Sequence, residues 1–383
     1  MLNVNGRVDL PRTRWQGQGG ESDYPLDRLL DSAEATISVG VRQLACELGI
    51  NGRSFDRSAQ TLKNTAQIVI SEEAFRQVVE CEGKQVLKLS AAEELETGWS
   101  AGECKTLTPA GAEVTRVYAS ADGVLVPTTT QAEKDKRRQT VRQKRKQLPR
   151  AARRRLARLA AVKKGSDQRY KQVYLTAFYD QTMDHRLVGV TREKQQGLGK
   201  LLKREAARIH LRAAAERVGV VDGAVCLRRH LEVLPLDEVL LDFYHLSEHV
   251  GGAGKATFAK PEEAEEWIGQ SLHVVRHEGY EPFFEKLLDW RGPLRGGKRK
   301  MAQGLINYVA QRQEMIGYER CDEHGWDVGS GPMESMCGVT TDRIKGRGRR
   351  WDLDNAEAIM ALEALYQSNL WSAYWDKAFT NYN

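Results

Sequence analysis

Between residues 112 and 241 the chain carries five short runs rich in β-branched and aromatic residues, and their order limits the fold more than any other feature. The first, Ala112 to Pro127, holds Val114, Val117, Tyr118, Val124 and Val126 in a strand-like pattern, broken by an Asp122-Gly123 turn. Gln172 to Asp180 and Arg186 to Thr191 read as a hairpin. Arg217 to Ala224 reads as a short buried strand ending in Asp222-Gly223, and Glu238 to Leu241 as another, ending at Asp242. Glu193 to Ala215 has helical spacing, residues 255–320 look helical throughout, and Gly329-Ser330-Gly331-Pro332 opens a helix carrying Glu334. Three strands, a helix, a strand, a short helix, a strand, a helical block and a final helix predict a mixed sheet with helices packed on it, of the α/β class.

The flanks are helical. Residues 1–25 form a loose leader, and Pro25 to Ala35 is amphipathic. Ser38 to Gly49 has apolar residues at helical spacing, Ser54-Phe55 opens a helix running to Thr65, and Ser71-Glu72-Glu73 starts a third. Two readings stay open for this part: a helix-turn-helix that enters a major groove, or a small helical dimerisation element. Near the other end, Ala356 to Leu370 reads as strongly amphipathic. Trp351, Trp371 and Trp375 are expected to cover these helices as core rather than stack on an unpaired base.

The net charge of +6 is modest for 383 residues, but its distribution is not: Lys134 to Lys164 holds fifteen Lys/Arg and one acid, Asp135. A solvated linker would not need that bias, whereas phosphate contacts would, and such contacts position a nucleic acid without reading its sequence. Lys136, Arg137, Arg138, Arg142, Lys144, Arg145, Lys146, Arg153, Arg154 and Arg155 are the DNA-contact candidates here. A second cluster, Arg343, Lys345, Arg347, Arg349 and Arg350, follows the Glu334 helix. No apolar run approaches the roughly 18 residues of a membrane span, and the first residues lack a signal-peptide pattern. Cysteines at 46, 81, 104, 226, 321 and 337 form no Cys-x-x-Cys pair, so neither a zinc ribbon nor a disulfide framework is expected. The expectation is a cytoplasmic, nucleoid-associated protein with reduced thiols.

Asp122 within the first strand, Asp222 at the end of the fourth and Glu334 at the start of a late helix are the candidate catalytic and metal-binding acids. Phosphodiester transfer at two hard cations needs several converging carboxylates, one cation activating the attacking oxygen and the other stabilising the leaving one. Each acid also has an ordinary reading. An Asp before Gly is a common turn residue, and an acid near the third position of a helix favours its dipole without any catalytic duty. Asp242 is an alternative second acid, and Asp242, His245 and His249 have spacing that could hold a metal; a core-facing structural histidine is the competing reading of His245.

Ala119 to Pro127, Val220 to Ala224, Leu241 to Leu246, Gly329 to Ser335 and Lys345 to Asp352, taken in this order, resemble the blocks of ISKra-type insertion-sequence transposases. The resemblance runs from about residue 30 to the C-terminal region. It implies a DDE transposase with an RNase H-like (retroviral-integrase-like) core, an all-helical insertion and a helical N-terminal domain. It also implies two Mg²⁺ (or Mn²⁺) ions, cleavage at element ends, strand transfer into target DNA, and at least a homodimer on DNA. Asp122, Asp222 and Glu334 carry over as the triad, with Asp242 closing the fifth strand and His245 orienting the scissile phosphate or anchoring the insertion. The implied boundaries are a helical domain over 26–105, the first part of the core over 106–250, the insertion over 251–328 and the second part of the core over 329–383. Cys226 and Gly338 depart from the pattern, which would have an aromatic residue and a lysine there. Two rival functions stand beside this one: a nuclease or resolvase without strand transfer, and a non-catalytic DNA-binding protein of the same fold.

Overall fold

The computed structural model describes residues 2–7, 13–17, 22–23, 37–156, 158–159 and 161–380. The helix expected over 25–35 and about half of the leader lie outside the described residues. The chain divides into two compact units, one made of residues 1–95, 124–173 and 339–383, the other of 96–123 and 174–338.

The first unit is mainly helical. Helices α1 (Val39–Asn51), α2 (Phe55–Ala66) and α3 (Glu72–Ala91) each start at a serine, Ser38, Ser54 or Ser71, whose side-chain oxygen accepts a backbone N–H of the first turn. The basic segment, which joins the strands Glu113–Pro127 and Tyr170–Tyr179, is largely helical and mostly exposed. It folds into α4 (Gln131–Gln147) and α5 (Arg150–Arg154), and α4 starts in a capping box in which Thr130 and Glu133 satisfy each other's backbone donors. Almost every residue of α4 is exposed, so its helicity rests on this cap and on local pairs such as Gln131 with Asp135.

Following α13 (Gly331–Lys345), whose last residues belong to this unit, come α14 (Leu353–Gln367) and α15 (Trp371–Thr380). The amphipathic helix expected over 356–370 is instead buried around nearly its whole circumference. Helix α3 packs along it, and α1 covers it as well, so even the polar Asn355, Glu357 and Gln367 are buried. Gly83 of α3 makes that approach possible, because a Cβ there would lie 2.2 Å from the Ala358 carbonyl oxygen. Trp351, Trp371 and Trp375 are buried, as core residues should be.

The second unit is built on a six-stranded mixed sheet. Its strands are β1 (Lys105–Leu107), β2 (Glu113–Pro127), β3 (Tyr170–Tyr179), β4 (Arg186–Thr191), β5 (Glu216–Val221) and β6 (Glu238–Leu241), and the order is β6-β5-β2-β3-β4 with β1 beside β2. Both β2 and β3 continue at one end into the first unit. Strands β5 and β6 run parallel to each other and to β2, while β3 and β4 form the expected antiparallel hairpin. The five runs legible in the sequence are therefore the five principal strands.

Two local expectations need correction. Asp122-Gly123 is not a turn: β2 runs straight through it, because the buried side chains of Ala121, Val124 and Val126 hold the backbone extended. Asp222-Gly223 is a turn, with Gly223 at φ 87°. Similarly, the helix expected over 193–215 ends early. It spans α6 (Gln195–Arg208), and His210 at φ 51° breaks it before a short 3₁₀ turn, Leu211–Ala213.

After β5 come α7 (Val225–Leu231) and β6. The helical block follows as α8 (Phe243–Thr257), α9 (Pro261–His277), α10 (Tyr280–Arg291), α11 (Gly296–Ala310) and α12 (Tyr318–His324). Block and sheet are thus contiguous in sequence and packed in one unit, with α9 and α11 each resting on α8.

Candidate active site

Three acids stand in one row at the end of the parallel strands. The β2–β5 register pairs Arg116 with Glu216 and Ala119 with Gly219, and the Ser120 hydroxyl donates to Val220 O at 2.6 Å. Carried forward, that register sets Asp122 level with Asp222. The β5–β6 register pairs Val221 with Leu241, and Asp242 N–H donates to Val221 O at 2.8 Å, so Asp242 is level with Asp222 as well. Residues level across adjacent strands share a face. Asp122 and Asp222 are half-buried.

Helix α13 brings the fourth acid across this row. Just before it, Ser330 donates its backbone N–H to Asp242 Oδ2 at 2.6 Å and its hydroxyl makes a shorter contact with the same oxygen. Two turns on, the Cys337 thiol lies 3.6 Å from Asp122 Oδ2. Between them, on the same helical face, sits Glu334, whose Oε1 is 3.2 Å from the Ser330 hydroxyl. Two strand spacings cover about 9.6 Å, and seven residues of helix rise about 10 Å. Helix and row therefore match in length, and the exposed Glu334 falls along the helix between the Asp242 and Asp122 contacts.

Asp242 is not free to act as Asp222 could. It is 2% exposed, and its other oxygen accepts the His245 backbone N–H at 2.8 Å as the N-cap of α8. With both oxygens engaged, it fastens the start of α13 to the end of β6. Asp222 spends one oxygen on the Ala224 N–H at 3.0 Å.

The far wall comes from the helical block and was not signalled by any motif. Arg312 donates Nε–H to Gly223 O at 2.7 Å and Nη1–H to Tyr308 O at 2.9 Å, and its guanidinium lies 3.7 Å from the Tyr308 ring centre. His249 stacks on the other side of that ring arrangement at 3.8 Å between centroids. The buried Tyr308 hydroxyl has no hydrogen-bond partner among the described residues. Burial pushes its phenol up to about 12; Arg312 opposes this, and Asp222 and Asp242 add to it. Burial, with His245 and Arg312, lowers the His249 pKa. His245 sets its ring against His249 at 5.3 Å. The close approach of this wall is why position 223 is glycine: a Cβ there would meet Leu241, Arg312 and Tyr308 within 2.6–2.8 Å.

Among the described residues, the one set of three His, Cys, Asp or Glu side chains with ligand atoms all within 4.8 Å of one another is Cys104, Asp180 and His185. Neither the trio Asp122, Asp222 and Glu334 nor Asp242, His245 and His249 closes to that limit. For two cations about 3.5–4 Å apart, ligands of different ions need not meet it, since one or two carboxylates per ion suffice. The acid row fits hard cations in donor type.

The predicted DNA-contact residues fall in the first unit. Lys136, Arg137, Arg142, Lys144, Lys146, Arg153, Arg155, Lys345 and Arg347 are exposed, Arg138 and Arg145 half-buried, and the Arg154 backbone ends α5. Arg349 and Arg350 have internal partners: Arg349 donates to the Arg53 and Arg343 carbonyls, and Arg350 pairs with Glu133 at 3.1 Å. Arg343 is buried against Phe55 and Trp351, and burial lowers its pKa to about 10. A cavity of about 740 Å³ is lined by Arg53, Lys134, Arg137, Lys163 and Arg349, among others. Cys226 and Gly338 are both exposed. No helix of the described residues is long and apolar enough to cross a membrane. No protein-family model matches the chain, and no curated protein matches it.

Proposed function

We propose that the chain is a DDE transposase with an RNase H-like core, cutting DNA at element ends and joining the freed 3′ end to target DNA. The observation that carries this reading is the shared level of Asp122 and Asp222 on adjacent parallel strands, with the Glu334 helix laid across them. Two bound Mg²⁺ or Mn²⁺ ions would supply activation of the attacking oxygen and stabilisation of the leaving one. Asp122 and Asp222 would hold them, with Glu334 completing the set. Asp242 and Ser330 orient Glu334, and Arg312 offers a cation beside Asp222 for a phosphate oxygen. The exposed cations of α4 would hold duplex DNA by its phosphates, giving binding that weakens steeply with salt.

The test is Asp122→Asn. With end-bearing DNA and Mg²⁺, cleavage should be abolished while binding in a mobility-shift assay stays within about threefold, because one carboxylate is lost and no basic residue is touched. Retained cleavage would rule the role out. A wild type that cleaves without producing strand-transfer products would instead be a nuclease, and one with no calorimetric Mg²⁺ binding would be a DNA-binding protein that keeps the fold.

A further inference from the structure

A second, chemically different cluster lies at the other end of the sheet. Cys104 leads into β1, and its carbonyl accepts the Arg116 N–H at 2.8 Å. Asp180 and His185 bracket the β3–β4 turn, which is closed by Asp180 N–H to His185 O at 3.1 Å and held tight by Met183 at φ 64°. The ligand atoms of these three residues all lie within 4.8 Å of one another. Cys104 and Asp180 are 1% and 5% exposed, while the His185 side chain is partly open to solvent. We propose that Cys104, Asp180 and His185 form a binding site for one Zn²⁺ ion.

The donor set selects the metal. Sulfur, imidazole nitrogen and carboxylate oxygen together suit a borderline cation such as Zn²⁺, not the hard cations that suit the acid row. Tetrahedral bonds to zinc of roughly 2.0–2.3 Å put neighbouring donors about 3.3–3.8 Å apart, within reach here by small side-chain adjustments. Asp180 is already oriented by the His185 backbone N–H and the Thr182 hydroxyl, each at 3.2 Å, and the Trp99 ring backs the imidazole at 5.4 Å. Such supporting contacts are what a metal site needs around its ligands.

On binding, the Cys104 thiol loses its proton to solvent. Neutral His185, whose Nδ1–H meets Asp180 Oδ2 at 2.7 Å, gives up that contact, exchanges its hydrogen through solvent from Nδ1 to Nε2, and coordinates through Nδ1. Arg116 lies six residues before Asp122 on an extended strand, about 20 Å away, so the ion fastens β1 to the β3–β4 turn and has no part in the acid row.

Co²⁺ added to the full-length protein is the probe. One equivalent should give a near-ultraviolet thiolate-to-cobalt charge-transfer band and be displaced by Zn²⁺ but not by excess Mg²⁺. Cys104→Ser should lose the band, His185→Gln should weaken Co²⁺ binding at least tenfold, and Asp122→Asn should leave both unchanged. No band in the wild type would overturn the proposal and leave an ordinary Asp–His turn against a buried thiol. A band that persists in Cys104→Ser would assign the metal to another of the six cysteines and overturn it equally. If Cys104→Ser does not fold, His185→Gln decides, since its side chain is partly exposed; unchanged Co²⁺ affinity there refutes the site.

Discussion

Replacing Arg116 by methionine should cost the second unit about 3–5 kcal/mol, the usual penalty for breaking a buried ion pair from one side. Arg116 is fully buried on β2 and uses its whole guanidinium. Nε bonds to Glu216 at 2.7 Å, Nη1 to Gln181 at 2.9 Å and to Gly325 O at 2.8 Å, and Nη2 to His324 O at 2.5 Å. Methionine keeps much of the apolar stem, so the loss isolates the charge and hydrogen-bond contribution. It strands Glu216, which then has only Trp326 and His324, both at 3.0 Å. For a unit of roughly 200 residues, 1 kcal/mol moves the melting temperature by about 2–4 °C, so its calorimetric transition should fall by roughly 6–20 °C.

The double variant Arg116→Met with Glu216→Leu should cost less than the sum of the singles by at least about 2 kcal/mol, because no lone buried charge remains. That coupling is pH-dependent. Burial alone would raise the Glu216 pKa, but the bonds from Trp326, His324 and Arg116 outweigh it and hold it below the ordinary value. Its contribution is therefore present above the unfolded pKa near 4.3 and is lost as pH falls through the lower folded value. Coupling measured at pH 7 should shrink at pH 3. Additive costs, or a single substitution costing under about 1 kcal/mol, would refute the reasoning. The same pair sits in the β2–β5 register that levels Asp122 with Asp222.

Gly83→Ala should destabilise the first unit by about 1–2 kcal/mol in urea unfolding. The helix-propensity gain of about 1 kcal/mol is smaller than the overpacking cost against the Ala358 backbone, and a stabilised variant would contradict the α3–α14 approach. Glu363→Gln should raise the melting temperature at pH 8 and leave it unchanged at pH 4. Burial, then Asp342, pushes the Glu363 pKa up to about 7, so the wild type loses stability as pH rises from its unfolded value through 7. Equal effects at both pH values would count against that burial.

Strand runs were legible because β-branched residues alternate or cluster between breakers, a local property that survives without neighbours. Asp122-Gly123 misled for the same reason. The dipeptide's turn preference is local, and the packing of Val124 and Val126 that overrides it is not. Helix α14 misled because alanines read as a weak face, while the approach that buries them needs Gly83, more than two hundred residues away. At the acid row, the residue types were visible and their alignment followed once two registers were known. Tyr308 and Arg312, four residues apart, carried no recognised motif, and the Cys104, Asp180 and His185 cluster joins a β3–β4 turn to a cysteine about 75 residues earlier in the chain. Only Gly223, after an acid at a strand end, hinted that something comes close.

Asp242 and Ser330 stand 88 positions apart yet touch, and beside them Phe243 N–H meets Val328 O at 2.9 Å. The helical excursion thus leaves and rejoins the sheet at one stitched neck, and meets it again where Arg312 reaches Gly223 and where His324 and Gly325 receive Arg116. A segment tied off in that way behaves as a cassette: its helices can be lengthened, shortened or traded while the strand ends beneath keep their spacing. Variation among related chains should accordingly gather inside the neck, with Arg312, His324 and Trp326 as anchors that any replacement would have to supply again.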